Sequence, residues 1–120
     1  MKVLIADDSQ VMRMIIEKIV KSLGYETMHA GNGQEVLSVL EKTGGDIDLV
    51  LLDWNMPVLN GLEALTLIRK SNLFRSIPVF MVSTESEDDK IRQALNAGAS
   101  GYISKPFTAE ALAAVISKAQ

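Results

Sequence analysis

The sequence lacks several residues and patterns on which common kinds of protein function depend. It has no cysteine and a single histidine, His29, in 120 residues. The absence of cysteine excludes disulfides, thiolate metal sites and cysteine nucleophiles, and one histidine cannot form a catalytic histidine network. No glycine-rich loop of the P-loop or dinucleotide-binding type is present. We interpret His29 as an ordinary polar residue at the end of a strand.

Charge and hydropathy exclude two further classes of protein. The net charge is only −3 and the basic residues are scattered, so the chain lacks the electrostatic footprint of a protein that binds nucleic acid directly. The apolar runs are about five to six residues long, which is too short for insertion into a membrane. The first run is followed at once by Asp7 and Asp8, unlike a signal peptide. We therefore expect a cytoplasmic protein.

The length and the hydropathy pattern predict one α/β domain spanning residues 1–120. Short β-rich apolar runs alternate five times with longer stretches of helical period, which indicates βαβ units around a parallel sheet. The predicted strands are residues 2–6, 25–30, 48–52, 78–82 and 101–104, and the helices between and after them begin at the cap residues Ser9, Asn32, Asn60, Ser86 and Thr108. Right-handed crossovers then favour an open, doubly wound sheet with helices on both faces.

Polar residues stand at the carboxyl ends of four predicted strands. They are Asp7, Asp8, Asp53, Ser83 and Lys105. The carboxyl ends of parallel strands meet at one edge of the sheet, where a doubly wound fold places its site. Three converging carboxylates repel one another and are tolerated where a hard cation binds or negative charge is handled chemically. The pattern therefore predicts a Mg²⁺ site in which Asp53 could act as a nucleophile and form an aspartyl phosphate.

Each of these residues also has a simpler interpretation. Asp7 and Asp8 could favour the positive end of a following helix, and Asp53 and Ser83 could be turn residues. Lys105 could be a solvated lysine, although Lys105-Pro106 directly after a strand restricts its stem, and such a bond can be cis. A serine hydroxyl and an ammonium there could engage phosphoryl oxygens. Convergence from four separate strands favours a site over five coincidences.

The motifs together closely resemble the response-regulator receiver domain of two-component signalling, most of all the single-domain chemotaxis (CheY) type. The resemblance covers the whole chain and rests on the acid pair at 7–8, the segments 53–57 and 60–61, Ser83, and the segments 98–102 and 105–107. It implies a flavodoxin-like fold with five helices and a five-stranded parallel sheet in the order 2-1-3-4-5. It also implies a phosphorylation switch rather than an ordinary enzyme.

The resemblance further implies how the acceptor and its metal are arranged. Asp53 would accept a phosphoryl group from a histidine kinase, with self-catalysed transfer and later autodephosphorylation. Asp8, Asp53 and the backbone carbonyl of Asn55 would bind Mg²⁺, and Asp7 would contribute through the water shell of the ion.

The remaining implied roles concern switching. Ser83 and Lys105 would hold the phosphoryl oxygens, and the rotamer of Tyr102 would follow the phosphorylated state. A downstream protein would bind the face made by the fourth helix, fifth strand and fifth helix, in chemotaxis or motility signalling. Asn55 and Glu85, which flank the acceptor, are the kind of pair that accompanies rapid self-hydrolysis in this family.

The sequence departs from the family pattern at two places, and three other hypotheses about the chain remain open. Thr84 stands where the family commonly has a very small residue, and Ser9 and the surface of the fourth helix differ from members that bind the flagellar motor. The chain could instead be a receiver domain taken from a multi-domain regulator or hybrid kinase. A Mg²⁺-dependent phosphohydrolase working through an aspartyl phosphate, and a flavodoxin-like cofactor binder, are two other hypotheses.

Overall fold

The fold alternates strands and helices along the chain. The computed structural model describes residues 1–84 and 87–118, and in them five strands alternate with five helices. They are β1 (Lys2–Ala6), α1 (Gln10–Ser22), β2 (Glu26–Ala30), α2 (Gly33–Lys42), β3 (Leu49–Leu52), α3 (Gly61–Lys70), β4 (Val79–Ser83), α4 (Asp88–Asn96), β5 (Gly101–Ser104) and α5 (Ala109–Lys118). All strand pairs are parallel, in the order β2-β1-β3-β4-β5, as expected. Among these described helices, none is long and apolar enough to cross a membrane.

The sheet carries a separate hydrophobic layer on each face. Alternate strand residues point to opposite sides, so Leu4 and Leu52 join one layer while Ile5 and Leu51 join the other. The first layer packs against α2, α3 and α4, and the second packs against α1 and α5. This two-sided covering confirms the doubly wound arrangement. It also leaves the carboxyl ends of the strands as the edge where loops from both faces meet.

Strand boundaries differ slightly from the sequence-based expectation. The strands predicted to start at residues 25, 48 and 78 each begin one residue later. Pro78 has no N–H group to donate to the sheet, which explains the later start of β4. At its other end β4 extends to Ser83, because the Ser83 carbonyl accepts a hydrogen bond of 2.8 Å from the Lys105 N–H. The pairing of β4 with β5 therefore continues to the polar edge.

Side chains cap most of the helices as predicted. Four expected cap residues accept a hydrogen bond from a backbone N–H in the first turn: Ser9, Asn32, Asn60 and Thr108. Asn60 and Glu63 form the full reciprocal pair, whereas Glu35 accepts from the Gly31 N–H instead of the cap residue. The expected cap Ser86 lies outside the described residues, and α4 begins at Asp88 after Glu87.

The three-and-four spacing of apolar residues in the sequence predicts a buried stripe on α1, and this stripe is only partly buried. Its members are Val11, Met12, Ile15, Ile16, Ile19, Val20 and Leu23. Ile16 and Val20 lie in the α1/α5 layer, but Val11 and Ile15 are exposed together with Met14. Hydrophobic spacing identifies the helix correctly, yet it overestimates the width of the face that contacts the sheet. The extra apolar residues lie on the water-facing side of α1.

The loop between β3 and α3 is held in a tight turn by backbone contacts. The Gly61 N–H donates to the Trp54 carbonyl at 2.9 Å, and the Gly33 N–H donates to the Leu59 carbonyl at 2.9 Å. A Cβ atom on Gly61 would lie 2.1 Å from the Asp53 carbonyl oxygen, so only glycine fits there. In the same loop, Val58 has a φ of 70° and its side chain is 79% exposed. A β-branched residue is strained in this region of backbone conformation.

Replacing Val58 tests this strain directly. Val58→Asn is expected to raise the free energy of unfolding by about 1 kcal/mol, because asparagine tolerates positive φ and the exposed valine loses no packing. The measurement is the urea unfolding midpoint. Val11→Asn is the matched control, since Val11 is also exposed but lies in a helix, where the two residues have similar propensity. Equal effects of the two substitutions would show that Val58 is not strained.

Candidate functional site

The polar residues singled out in the sequence lie together at the carboxyl edge of the sheet. Asp7 and Asp8 follow β1, Asp53 follows β3, Ser83 ends β4, and Lys105 follows β5. Because β1 and β3 are neighbours, as are β3 and β4 and then β4 and β5, residues far apart in the chain share one edge. The Lys105-Pro106 peptide bond that closes this edge is cis.

Asp7 is a buried carboxylate whose polar groups are almost completely hydrogen bonded. It is 2% exposed. Its Oδ1 accepts from the Ser9 N–H at 2.9 Å, and its Oδ2 accepts from Lys105 Nζ at 2.7 Å. Its N–H donates to the Ala30 carbonyl at 3.1 Å, and its own carbonyl accepts from Arg13 Nη1. The Asp7 side chain is therefore fixed in position by neighbours from several elements.

Arg13 is a neighbour of the site that the sequence pattern does not indicate. It lies on α1, and its guanidinium reaches back to the backbone of Asp7. The pattern of apolar residues in α1 gives no signal for this contact, because the partner is a carbonyl oxygen rather than a charged side chain. Arg13 holds the end of β1 against the first turns of α1.

Asp53 is a buried carboxylate with an unfavourable environment for its charge. It is 6% exposed, and burial raises its pKa above the ordinary value for aspartate. The positive charge of Lys105, whose Nζ lies 3.6 Å from Oδ2, lowers the pKa in part, while the charge of Asp7 raises it again. Hydrogen bonds from the backbone of Trp54 and Asn55 give smaller lowering contributions.

The three aspartates form a group that suits a small hard cation. One carboxylate oxygen from each of Asp7, Asp8 and Asp53 lies within 4.8 Å of the others. Asp7 and Asp53 are buried, whereas Asp8 is exposed, so the group opens to water on one side. Carboxylate oxygens with room for water ligands match the coordination that Mg²⁺ requires. The donor set therefore fits the predicted metal.

The other predicted residues are buried to different extents. Ser83 is fully buried, Asn55 and Thr84 are exposed, and Tyr102 is half-buried against the layer formed with α2, α3 and α4. Glu85, which was expected to flank the acceptor, lies outside the described residues. The structure thus gives the hydroxyl of Ser83 a protected position and leaves Asn55 at the open rim.

Trp54 and His29 make contacts that the sequence did not reveal. The Lys90 ammonium of α4 lies 5.4 Å from the centre of the Trp54 ring, a distance at which a cation is attracted to an aromatic face. His29 Nε2 lies 2.6 Å from Glu17 Oε2. The pKa of Glu17 is lowered, first by the hydrogen bond with His29 and then by that from Thr27. His29 therefore links β2 to α1.

Comparison with known proteins places this geometry among signalling domains. The family model of the response regulator receiver domain matches residues 3–117. Chemotaxis protein CheY-3 of Vibrio cholerae is 42% identical over 113 residues, which cover 93% of this chain and 85% of that protein. Chemotaxis protein CheY of Pseudomonas aeruginosa is 40% identical over 119 residues, covering 98% and 94%. The solved structure of CheY4 of Vibrio cholerae is 31% identical, has a TM-score of 0.91 and covers 99% and 98%.

The environment of Asp53 predicts how stability depends on pH. Asp53→Asn is expected to raise the free energy of unfolding at pH 7 in metal-free buffer, by on the order of 1 kcal/mol. The folded-state pKa of Asp53 is raised, so the folded protein binds this proton more tightly than the unfolded chain does. Stability is therefore lost as pH rises from the unfolded value of about 4 through the folded pKa.

The corresponding measurement is urea unfolding from pH 3 to pH 8 with a chelator present. The gain from Asp53→Asn should be absent at the acid end and grow toward neutral pH. Asp89→Asn is the control, since Asp89 is an exposed aspartate in the first turn of α4. A gain that is the same at both ends of the pH range would show that the charge of Asp53 is not its cause.

Proposed function

Since the chain belongs to the response regulator receiver domain family, we propose that it acts as a phosphorylation-dependent switch through Asp53, as a single receiver domain over residues 1–120. The observation that carries the proposal is the placement of Asp53. It is a buried carboxylate beside two others, with one ammonium within 3.6 Å. The matched relatives are chemotaxis proteins, which favours chemotaxis or motility signalling over the phosphohydrolase hypothesis.

We propose that Asp8, Asp53 and the backbone carbonyl of Asn55 hold Mg²⁺, with Asp7 acting through bound water. The contacts of Asp7 support this division, since both of its carboxylate oxygens already accept hydrogen bonds. Asp8 is exposed and so can turn toward an ion. When bound, the ion would supply the positive charge that lets an anionic phosphoryl group approach carboxylates.

The chemical step proposed for Asp53 is a transfer from a phosphohistidine of a histidine kinase. A carboxylate oxygen of Asp53 forms a bond to phosphorus as the bond from phosphorus to the histidine nitrogen breaks. The nitrogen keeps the electron pair and takes a proton from solvent, so the products are an aspartyl phosphate and neutral histidine. Ser83 and Lys105 then engage phosphoryl oxygens, as a hydroxyl donor and a counter-charge.

Switching follows from where Ser83 and Lys105 stand in the chain. Ser83 ends the strand that precedes α4, and Lys105 follows β5. Contacts from both to one phosphoryl group draw these two loops inward, and Tyr102 on β5 repacks with them. The population changes from mostly inactive to mostly active if the active state binds the modification better by about 3 to 5 kcal/mol. The face of α4, β5 and α5 then meets the downstream protein.

The same site is proposed to remove its own phosphoryl group. Hydrolysis needs a water molecule in line with the bond from phosphorus to Asp53, so access from solvent limits its rate. Asn55 lies at the exposed rim, which favours access. Thr84 is also exposed and could narrow the approach, while the contribution of Glu85 falls outside the described residues. We propose a short-lived signal.

Phosphorylation and its metal requirement are tested by intact mass after treatment with acetyl phosphate. The wild type should gain one phosphoryl group only with Mg²⁺ and lose it after donor removal, because the acidic group needs a cation to admit the anion. Asp53→Asn should gain none. In Asp8→Ala, the addition of Mg²⁺ should no longer change the amount of phosphoryl group gained. Asp46→Ala, a change in an exposed aspartate near the other end of β1, is the control. An unchanged mass increment in Asp53→Asn would exclude Asp53 as acceptor.

Coupling to the output face is tested by amide chemical shifts with and without beryllofluoride, which mimics a phosphoryl group. In the wild type, Ile91 and Tyr102 should shift. In Lys105→Ala the mimic should still bind, but these shifts should fall by about tenfold, because the counter-charge that links the modification to β5 is missing. Lys70→Ala, which changes an exposed residue of α3, should behave as wild type. Normal shifts in Lys105→Ala, or wild-type shifts confined to α2 and α3, would contradict the proposal.

A further inference from the structure

Arg69 joins three separate segments at the amino-terminal edge of the sheet. It lies in the last turn of α3 and is half-buried. Its Nε donates to the Gly98 carbonyl at 2.8 Å, and its Nη1 donates to the Ile77 carbonyl at 2.7 Å and the Arg75 carbonyl at 3.2 Å. Gly98 belongs to the connection between α4 and β5, and Ile77 precedes β4. One side chain therefore fixes the entrances of both strands.

These contacts of Arg69 are hydrogen bonds to carbonyl oxygens rather than ion pairs. Within the described part of the chain, no carboxylate lies within ion-pair distance of Arg69. Burial lowers the pKa of its guanidinium, which reflects loss of water rather than the presence of a counter-charge. The planar fork of arginine can reach several carbonyls at once, which the single ammonium of lysine cannot reproduce.

The backbone of Gly98 packs closely against the Arg69 side chain. Its φ is +109°, and a Cβ atom there would lie 2.8 Å from Cγ and 3.0 Å from Nε of Arg69. The stem of Arg69 therefore packs against the backbone immediately after α4. The following residues continue the anchorage, since the Ser100 N–H donates to the Val79 carbonyl at 2.7 Å.

The two ends of α4 are held very differently. Near its carboxyl end, Ala94 is fully buried and the Ala99 N–H donates to the Ala94 carbonyl at 3.0 Å. At its amino end, Glu87 makes no side-chain capping bond among the described residues, and the contact there is that of the Lys90 ammonium with the Trp54 ring at 5.4 Å. Asp88 and Asp89 are exposed. Helix ends without capping bonds are among the less stable parts of a fold.

Distance separates the anchored end from the acidic site. Arg69 contacts residues that precede β4 and β5, whereas Ser83 and Lys105 stand at the opposite ends of these strands. At the rise of an extended strand, β4 alone separates the two by about 13 Å. The amino end of α4, which contacts Trp54 through Lys90, follows the Ser83 end of β4, whereas its carboxyl end lies at the Arg69 edge.

We propose that Arg69 is a positioning residue that makes the carboxyl end of α4 a fixed pivot, so that switching turns the helix about this end. Displacement at Ser83 then moves the first turns of α4, including Ile91, while Leu95 and the segment 97–100 stay in place. A helix free at both ends would slide as a whole instead. This inference rests on the switching function proposed above and adds to it which part of α4 moves.

The first test uses the wild-type protein and beryllofluoride. Amide chemical-shift changes averaged over residues 88–91 should exceed those over residues 95–99 by about threefold or more, because displacement grows with distance from the pivot at 1.5 Å per residue. Equal changes at both ends of α4 would overturn the pivot while supporting the switch. An absence of change throughout α4, β5 and α5 would overturn the switch, and the pivot with it.

The second test uses Arg69→Lys, with Arg75→Lys as the matched control because the Arg75 side chain is exposed. In Arg69→Lys, hydrogen exchange at residues 97–100 should be about tenfold faster, as expected for the loss of one or two net hydrogen bonds. Beryllofluoride should then perturb both ends of α4 equally, while phosphorylation of Asp53 continues. A purely structural role would speed exchange but leave the perturbation at the amino end, which would contradict the proposal. If Arg69→Lys does not fold, the shift changes in the wild type decide whether α4 turns about its carboxyl end.

Discussion

Mutual repulsion of carboxylates at the ends of adjacent strands is the constraint around which this protein is organised. Asp7 and Asp53 are buried on neighbouring strands, where charge without compensation is costly. Lys105 Nζ lies 2.7 Å from Asp7 Oδ2 and 3.6 Å from Asp53 Oδ2, and the Ser9 N–H donates to the other carboxylate oxygen of Asp7. The distant segment that carries Lys105 is therefore held to the end of β1 by the charges of the proposed site.

The parallel sheet that brings these carboxylates together also explains why so much of the site could be predicted from the sequence. A parallel sheet forces strand ends together, so five polar residues at strand ends could be assigned to one place without knowing any side-chain position. The two covered faces follow from the alternation of strands and helices, whereas the strand order was implied by the family resemblance. Boundaries were less certain because a terminal residue such as Asp48 or Pro78 can lie on either side of the last hydrogen bond of the sheet.

The contacts that could not be predicted share a physical character. Arg13 and Arg69 both reach backbone carbonyls in other segments, and a carbonyl is present at every residue, so no pattern marks the partner. Val58 is similar, since its positive φ lies in a turn closed by a backbone hydrogen bond from the Leu59 N–H to the Pro57 carbonyl at 2.7 Å. The prediction that Val11 and Ile15 of α1 are buried was wrong for another reason. Apolar spacing reports which residues could face a core, while the neighbouring elements determine how many of them do.

The position of Trp54 gives the protein a built-in optical probe. It is the single tryptophan of the chain, follows Asp53 directly and is largely buried. Lys90 of α4 lies near the face of its ring, so we expect the emission of the indole to respond to charge at the acidic site and at α4. Ultraviolet fluorescence can therefore follow events at both places in the unlabelled protein. The phosphorylation and the helix movement proposed above would then both be read from one residue, without added labels.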